Sequence, residues 1–293
     1  MTTIDVMLPY YGDVAQMKEA AQSVLDQTFT DFRLVVLDDG YPDPEPARWF
    51  GAMDDPRVQY LRNEQNLGAN GNYRKAVELV EADWFVMMGA DDVMRPGYLA
   101  AVSAAIDAFD VDIVQPGVQV IDETGARVTP LVDRVKKAIT PRVPTGGAAL
   151  GGEELAASLM RGDWAYFPSI AWKTSSVREI GFRTGLDVVQ DLALILDIIK
   201  RGGRMALLTD VVFDYRRHSA SDSSVRALDG RRFDEERDFF LGEAASFDSL
   251  GWHRAARTAR RHVTSRLNAA SLLPKAYRSE KGAPRALWRH ILR

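Results

Sequence analysis

The chain has 293 residues and no cysteine. That excludes disulfides, thiolate metal sites and a cysteine nucleophile, fits a reducing compartment, and leaves any bound metal to oxygen or imidazole ligands. No window of about 18 uninterrupted apolar residues occurs, so no membrane-spanning helix is expected. The N-terminal stretch MTTIDVMLPYYGD lacks both a basic segment and a long apolar run, so no secretory leader is expected either. These absences together predict a cytoplasmic protein. Low-complexity blocks are also missing: 46% hydrophobic and 27% charged residues, with 13 prolines and 22 glycines, describe a globular chain. The length allows one large α/β domain with an appendage or two ordinary domains.

Acid is nearly absent from the last stretch. Residues 251–293 hold eleven Lys/Arg against the single acid Glu280, a charge of +10, whereas the first 250 residues carry −14. The tail is therefore a basic module.

What is present in the first 120 residues is alternation. IDVML (4–8), RLVVL (33–37), RVQYL (57–61), WFVMM (84–88) and DIVQPGVQV (112–120) read as strands. Between them, residues 13–27 and 70–82 carry apolar side chains at helical spacing, with Tyr73, Ala76, Val77 and Val80 on one face. Such a pattern predicts a mostly parallel sheet covered by helices, whose ligands sit beyond the carboxyl ends of the strands. LDDG (37–40) and GADD (89–92) fall there. Residues 121–168 are less regular: DETGARV reads as a hairpin turn, and TPRVPTGGAALGGEE (140–154) as a mobile loop. Order is expected again at PSIAW (168–172), in a helix over 191–203 and in a strand over 211–218. Residues 229–293 read as all-helical, broken at Pro274 and Pro284.

Each acidic pair has a plain explanation. Asp38 and Asp39 suit a turn after a strand, and Asp91 and Asp92 suit the approach to a helix. Two such pairs at one sheet edge are harder to explain that way, because they create like-charge proximity that a hard cation relieves.

The segments IDVMLPYYGD, QSVLDQTFTDFRLVVLDDG and PRVQYLRNEQNLGANGNYRKAVELVEADWFVMMGADDVMRPGYL resemble, in order and spacing, those of family 2 glycosyltransferases with the GT-A fold. The likeness runs through about the first 100 residues and resumes, more weakly, at VVQDLALILDIIKRGG and YRRHSASDSS. It implies a GT-A catalytic domain over 1–228, with a nucleotide-sugar half (about 1–120) and an acceptor half (about 121–228), followed by a basic helical region over 229–293. The implied reaction is inverting transfer of a sugar from a UDP- or dTDP-sugar to an acceptor hydroxyl, in glycan, cell-envelope or glycoconjugate biosynthesis, with Mn²⁺ or Mg²⁺.

By that resemblance Pro9 and Tyr11 border the nucleotide base, and Asp39 accepts a hydrogen bond from the imide N–H of uracil or thymine. Asn66, Gly68 and Asn72 match a segment near the nucleotide; Asn72 equally suits a helix cap. GADD resembles the D-x-D type of motif that holds the cation against the donor diphosphate. Ala90 and Asp91 then lie at the donor, Asp91 is the metal ligand and Asp92 its support. Gly89 stands where many relatives have an acid. Asp191, in VVQDLAL, matches the general base, with Gln190 in place of a common glutamate; the other reading of Asp191 is an N-cap for the following helix. His218 falls where some relatives supply a further metal or diphosphate contact. Arg216 and Arg217 are candidates for phosphate oxygens, or are solvated charges.

Two rival readings remain open on the sequence. One is a sugar-nucleotide nucleotidyltransferase, for which the usual Gly-rich N-terminal phosphate loop is lacking. The other is a catalytically silent nucleotide-sugar-binding protein, which Gly89 and Gln190 favour. In the tail, Trp252, Leu267, Leu272, Leu273, Trp288, Ile291 and Leu292 alternate with basic residues, which suits either a helical cap on the acidic domain or peripheral contact with anionic lipid on the inner face of the membrane. Nucleic acid is not an expected partner, since no recognised module accompanies the charge. The acceptor, a glycan or a lipid-linked compound on the sequence alone, is left open.

Overall fold

A computed structural model describes residues 3–217, 231–278 and 283–292. The metal contact expected from His218 lies outside the described residues. The strands, in chain order, are β1 (Ile4–Tyr10), β2 (Phe32–Asp38), β3 (Val58–Arg62), β4 (Trp84–Met87), β5 (Val93–Met94), β6 (Ile113–Ile121), β7 (Ala148–Gly151), β8 (Ala171–Lys173) and β9 (Arg204–Arg216). The helices are α1 (Val14–Leu25), α2 (Glu45–Gly51), α3 (Gly68–Leu79), α4 (Tyr98–Ala108), α5 (Leu131–Ile139), α6 (Gly152–Arg161), α7 (Thr174–Ile180) and α8 (Gln190–Lys200), then α9 (Arg231–Ser249), α10 (His253–Arg261), α11 (Val263–Arg278) and α12 (Pro284–Leu292).

One nine-stranded sheet runs β3-β2-β1-β4-β8-β6-β9-β5, with β7 also on β9. Its long ladders, β1 with β2 and β4, β2 with β3, and β6 with β9, are parallel; β8, β5 and β7 are inserted antiparallel. The sheet is thus α/β and mixed, mostly parallel, as expected for the GT-A fold.

The strands are apolar on both sides because both faces are covered. Along β1, Ile4, Val6 and Leu8 face Met17, Ala20 and Val24 of α1, and Leu99 and Val102 of α4. Met7, with Val35 and Leu37 of β2 and Phe85 and Met87 of β4, faces the opposite layer. There Leu192, Ile195 and Ile199 of α8 pack with Leu155 and Leu159 of α6. Phe239, Phe240 and Phe247 of α9 and Ala255, Ala256 and Ala259 of α10 belong to this same cluster. The small residues of α10 permit its close approach, so this part of the basic tail is built into the main core. The tail's outer helices have a smaller cluster around Phe233, Ala269, Ala276 and Leu287.

Several expectations need correction. The region 140–154, expected to be a mobile loop, contains β7 and the start of α6, and residues ahead of it form α5. The strand expected over 211–218 begins at Arg204, and the break expected at Pro274 is absent, since that proline lies inside α11. Pro284 does act as punctuation, opening α12 as its first residue.

Candidate active site

The carboxyl ends of β1, β2 and β4 open into a cleft of about 940 Å³. Pro9, Tyr11, Asp39, Asn66, Gly68, Asn72, Ala90 and Asp91, drawn from four segments of the sequence, all line it. Among the residues expected near the donor, then, the fold brings these to one place.

The two aspartates of LDDG have opposite fates, because adjacent side chains at a strand end point to opposite sides. Asp38 turns inward, accepting a hydrogen bond from Tyr41 N at 2.7 Å and another from the Tyr60 hydroxyl. Asp39 turns to the cleft although only 2% exposed. Its Oδ1 accepts from Asn63 Nδ2 at 2.8 Å and from Leu67 N at 2.9 Å. Oδ2 engages none of the described residues, so the carboxylate is fixed by one oxygen and offers the other. Asn63 is held in turn by Asn72 Oδ1 (2.9 Å), and Lys75 Nζ donates to Asn63 Oδ1 at 2.6 Å. Asn72 anchors the network by donating to Leu37 O at 2.9 Å. Both ends of its amide therefore point into this support, and its part at the site is to order Asp39.

Tyr11 is 56% exposed and meets Tyr41 edge-on, with centroids 5.4 Å apart. Asn66 Oδ1 accepts from Gly68 N at 2.8 Å, and Gly68, at φ +71, turns the chain into α3.

The pair in GADD divides in the same manner. Asp92 is 1% exposed, and its Oδ1 accepts from Arg216 N at 2.7 Å. Burial first, and the Asp91 charge second, push its carboxyl well above the ordinary range. Asp91 lines the cleft. At Gly89, a Cβ would lie 2.5 Å from Asp92 Oδ2 and 2.8 Å from Asp91 Oδ1, so two carboxylate oxygens converge over the glycine. Among the described residues no group of three acidic or histidine side chains is poised around one cation. The donor set fits a hard divalent cation that takes these two carboxylates and completes its shell with oxygens of water or a diphosphate.

Arg216 and Arg217 are not placed as phosphate ligands. The Arg216 guanidinium is buried: Nε donates to Asp91 O at 2.6 Å, Nη1 donates to both Asp122 O and Glu123 O, and Nη2 pairs with Glu19 at 2.7 Å. It clamps the loop after β4 from behind. Arg217 grips the buried Asp133 with two bonds of 2.6 and 2.7 Å. The loop is further held by Gln27, which donates to Arg95 O at 2.8 Å and accepts from Leu99 N at 2.9 Å.

Asp191 stands in the first turn of α8, partly buried. Burial, reinforced by the nearby Asp163 charge and opposed by the bond from Leu192 N and by Lys136, raises its carboxyl from 3.8 to about 7. Asp191 is not the N-cap, which is Val189, and its one side-chain hydrogen bond among the described residues is from the adjoining Leu192 N at 2.8 Å. The turn leading into α8 is held by Glu235 of α9, whose Oε1 accepts from the N–H groups of Asp187, Val188 and Val189 at 3.0, 2.7 and 3.1 Å. Gln190 donates to Asn70 Oδ1 at 2.6 Å, tying the start of α8 to the start of α3. Tyr73 shows that the two acidic groups share one region. Burial and then the charges of Asp91, Asp92 and Asp191 push its hydroxyl up to about 12.

Asn63, Gln27, Asn70, Arg216 and Glu235 were not singled out for these roles by sequence reasoning. Their local signal is that of ordinary polar residues, and only the long-range pairing gives them work at the site.

Comparison with known proteins agrees with this geometry. The family model described as Glycosyl transferase family 2 matches residues 5–152. The succinoglycan biosynthesis protein ExoO of Rhizobium meliloti is 24% identical over 220 residues, covering 75% of this chain and 62% of ExoO. The chain spans less than two thirds of the length of the first curated relatives it matches. Among solved structures, S. aureus TarS 1-349 in complex with UDP-GlcNAc superposes with a TM-score of 0.65 at 16% identity, over 82% of this chain and 66% of TarS 1-349. The mannosyltransferase PcManGT from Pyrobaculum calidifontis, in complex with GDP-Man and Mn²⁺, gives 0.62 at 18% identity, over 98% of this chain and 77% of its own. At such identities the structural likeness speaks for the fold.

Proposed function

From the chain's membership of glycosyltransferase family 2, we propose that this protein transfers a sugar from a UDP- or dTDP-sugar to an acceptor hydroxyl with inversion, using a divalent cation. The observation that carries the reading is the meeting of Asp39 and Asp91 in one cleft with Asp191 close enough to act on the same hydroxyl environment as Asp91 and Asp92.

The free oxygen of Asp39 accepts the ring N–H of the base, and Tyr11 packs against the base. Adenine has no such imide; guanine carries a comparable ring N–H, and PcManGT binds GDP-Man, so donor panels need a GDP-sugar arm. Asp91 and Asp92 would hold Mn²⁺ or Mg²⁺, and Arg216 keeps their loop in place. When bound, the cation neutralises charge on the departing nucleoside diphosphate.

Asp191 takes the proton from the acceptor hydroxyl as its oxygen attacks the anomeric carbon and the bond to the diphosphate breaks on the opposite face. A carboxyl near 7 suits that task, being ionised in a substantial fraction of molecules at neutral pH while remaining basic. Its product is a glycosylated acceptor, in glycan or cell-envelope biosynthesis as for ExoO, a succinoglycan biosynthesis protein. No described helix is long and apolar enough to cross a membrane.

The test is a panel of UDP-, dTDP- and GDP-sugars incubated with the protein and Mn²⁺. Slow hydrolysis of a UDP- or dTDP-sugar that disappears on chelation is the expected result. A silent nucleotide-sugar-binding protein would bind the nucleotide and hydrolyse none of the panel.

A further inference from the structure

Beyond the nucleotide cleft, a second cavity of about 450 Å³ lies where α5, the start of α8 and helices α9 and α11 meet. Leu131, Val135 and Ile139 of α5, Leu192 of α8, Phe240 of α9 and Leu267 of α11 supply its apolar wall. The mouth is left apolar in contact with solvent: Leu131 is 68% exposed and Leu267 64%. Such a continuous exposed patch on a globular chain marks a binding surface more often than a packing defect.

Its inner end is different. Lys136 and Asp163 line it there, and both act electrostatically on Asp191, whose neighbour Leu192 forms part of the wall. Lys136 Nζ donates to Ala165 O at 2.8 Å and lies 4.7 Å from the Tyr166 ring, which leaves further ammonium N–H groups for an oxygen entering the groove. The groove is therefore apolar at the mouth and hydrogen-bonding at the base, and its polar end adjoins the candidate proton acceptor. Asp191 also acts electrostatically on Tyr73, which lines the nucleotide cleft, so its carboxylate stands between the two cavities.

We propose that this groove is the acceptor subsite, and that it takes an amphiphilic acceptor: an aliphatic chain in the groove and a hydroxyl-bearing head at Asp191. The assignment rests on the glycosyl-transfer reading above and names the acceptor class for it. An oligosaccharide without an apolar chain would pair with polar lining residues such as Glu236, Ser265 and Asn268 but leave the Leu131, Val135 and Leu267 wall uncovered.

The test uses the full chain and a series of methyl, hexyl and octyl β-glucosides below their micelle concentrations, with binding followed by calorimetry. Affinity should climb with chain length, approaching about fourfold per added methylene where burial is complete. Leu131→Gln and Leu267→Gln alter exposed side chains, so the double variant should keep its thermal midpoint and its UDP affinity in Mn²⁺. Its octyl affinity should fall at least about tenfold. Equal affinity across the series, or a wild-type slope in the double variant, would overturn the proposal. So would a slope that vanishes only as a dimer forms on concentration, which would give the groove to a second copy. Absent UDP binding and absent donor hydrolysis in the wild type, with the chain-length slope intact, would refute the acceptor role through the glycosyl-transfer reading while leaving alkyl-chain binding in place.

Discussion

Asp191→Asn separates catalysis from architecture because its effects on stability and rate should have opposite signs. A carboxyl moved from 3.8 to about 7 destabilises the folded, ionised protein by at most roughly 4 kcal/mol. Residual solvent contact reduces the expected gain from a neutral, isosteric side chain to about 1–3 kcal/mol. The sign follows from proton binding. Between about pH 4 and 7 the folded chain holds a proton on Asp191 that the unfolded chain has lost, so wild-type stability falls as pH rises through that window, and the penalty is complete above it. The variant should match the wild type near pH 3.5 and melt higher at pH 8, by roughly 2–4 °C per kcal/mol for a chain of this size. Transfer should drop about 10²–10⁴-fold, and the limb of the pH–rate profile near 7 should vanish with it. Thermal melts at the two pH values, UDP titration and a transfer assay make up the experiment. Wild-type transfer would remove Asp191 from the chemistry, and a lower melting point at pH 8 would refute the desolvation argument.

Asp91→Asn should leave the fold intact but abolish the Mn²⁺-dependent part of UDP binding, and equal UDP affinity with and without the substitution would cancel its role as cation ligand. Asp39→Asn keeps an acceptor for Asn63 and Leu67 but presents an amide donor to the base N–H; UDP affinity should weaken by about 1–3 kcal/mol in calorimetry. Glu235→Ala removes the acceptor shared by three N–H groups ahead of α8 and should cost about 1–2 kcal/mol in chemical denaturation, with UDP binding preserved. For the tail, deletion would strip α10 out of the core, so the membrane idea is better tested with Leu292→Gln, a residue 73% exposed. Binding of the wild type to anionic vesicles at low salt should weaken both in this variant and on adding salt.

The first half of the fold was legible because β1, β2 and β4 are buried on both faces and so appear as nearly unbroken apolar runs, and because α1 and α3 carry one-sided apolar spacing. α5 was not, since Leu131, Val132 and Val135 are exposed and its sequence follows a turn and precedes a Gly/Pro-rich stretch. β7 consists of small residues that gain strand structure only from pairing with β9, where Gly147 approaches Leu207 O so closely that a Cβ would lie 2.5 Å away. The cleft-facing member of each acidic pair was legible only through the family resemblance, which pointed to Asp39 and Asp91; local sequence gives no reason for the choice. Asp39 rather than Asp38 faces out because Tyr41 and Tyr60 occupy the first carboxylate. That selection is made by residues brought together by folding, as is the hold that Glu235 has on the turn ahead of α8.

The glycine at position 89 then reads as a solution to crowding. A side chain there would collide with the carboxylates of Asp91 and Asp92, so an acid at 89 and the present rotamers of 91 and 92 exclude one another. In the proposed cation site the second carboxylate would be Asp92, whose backing by Arg216 N fixes one oxygen and leaves the other over Gly89. Burial and the Asp91 charge raise the Asp92 carboxyl, so a cation held there by both carboxylates would have to displace its proton. Under the proposal, the departure at position 89 would keep two oxygen ligands while making cation affinity depend on the protonation of Asp92 and on the clamp that Arg216 closes between β9 and the loop after β4.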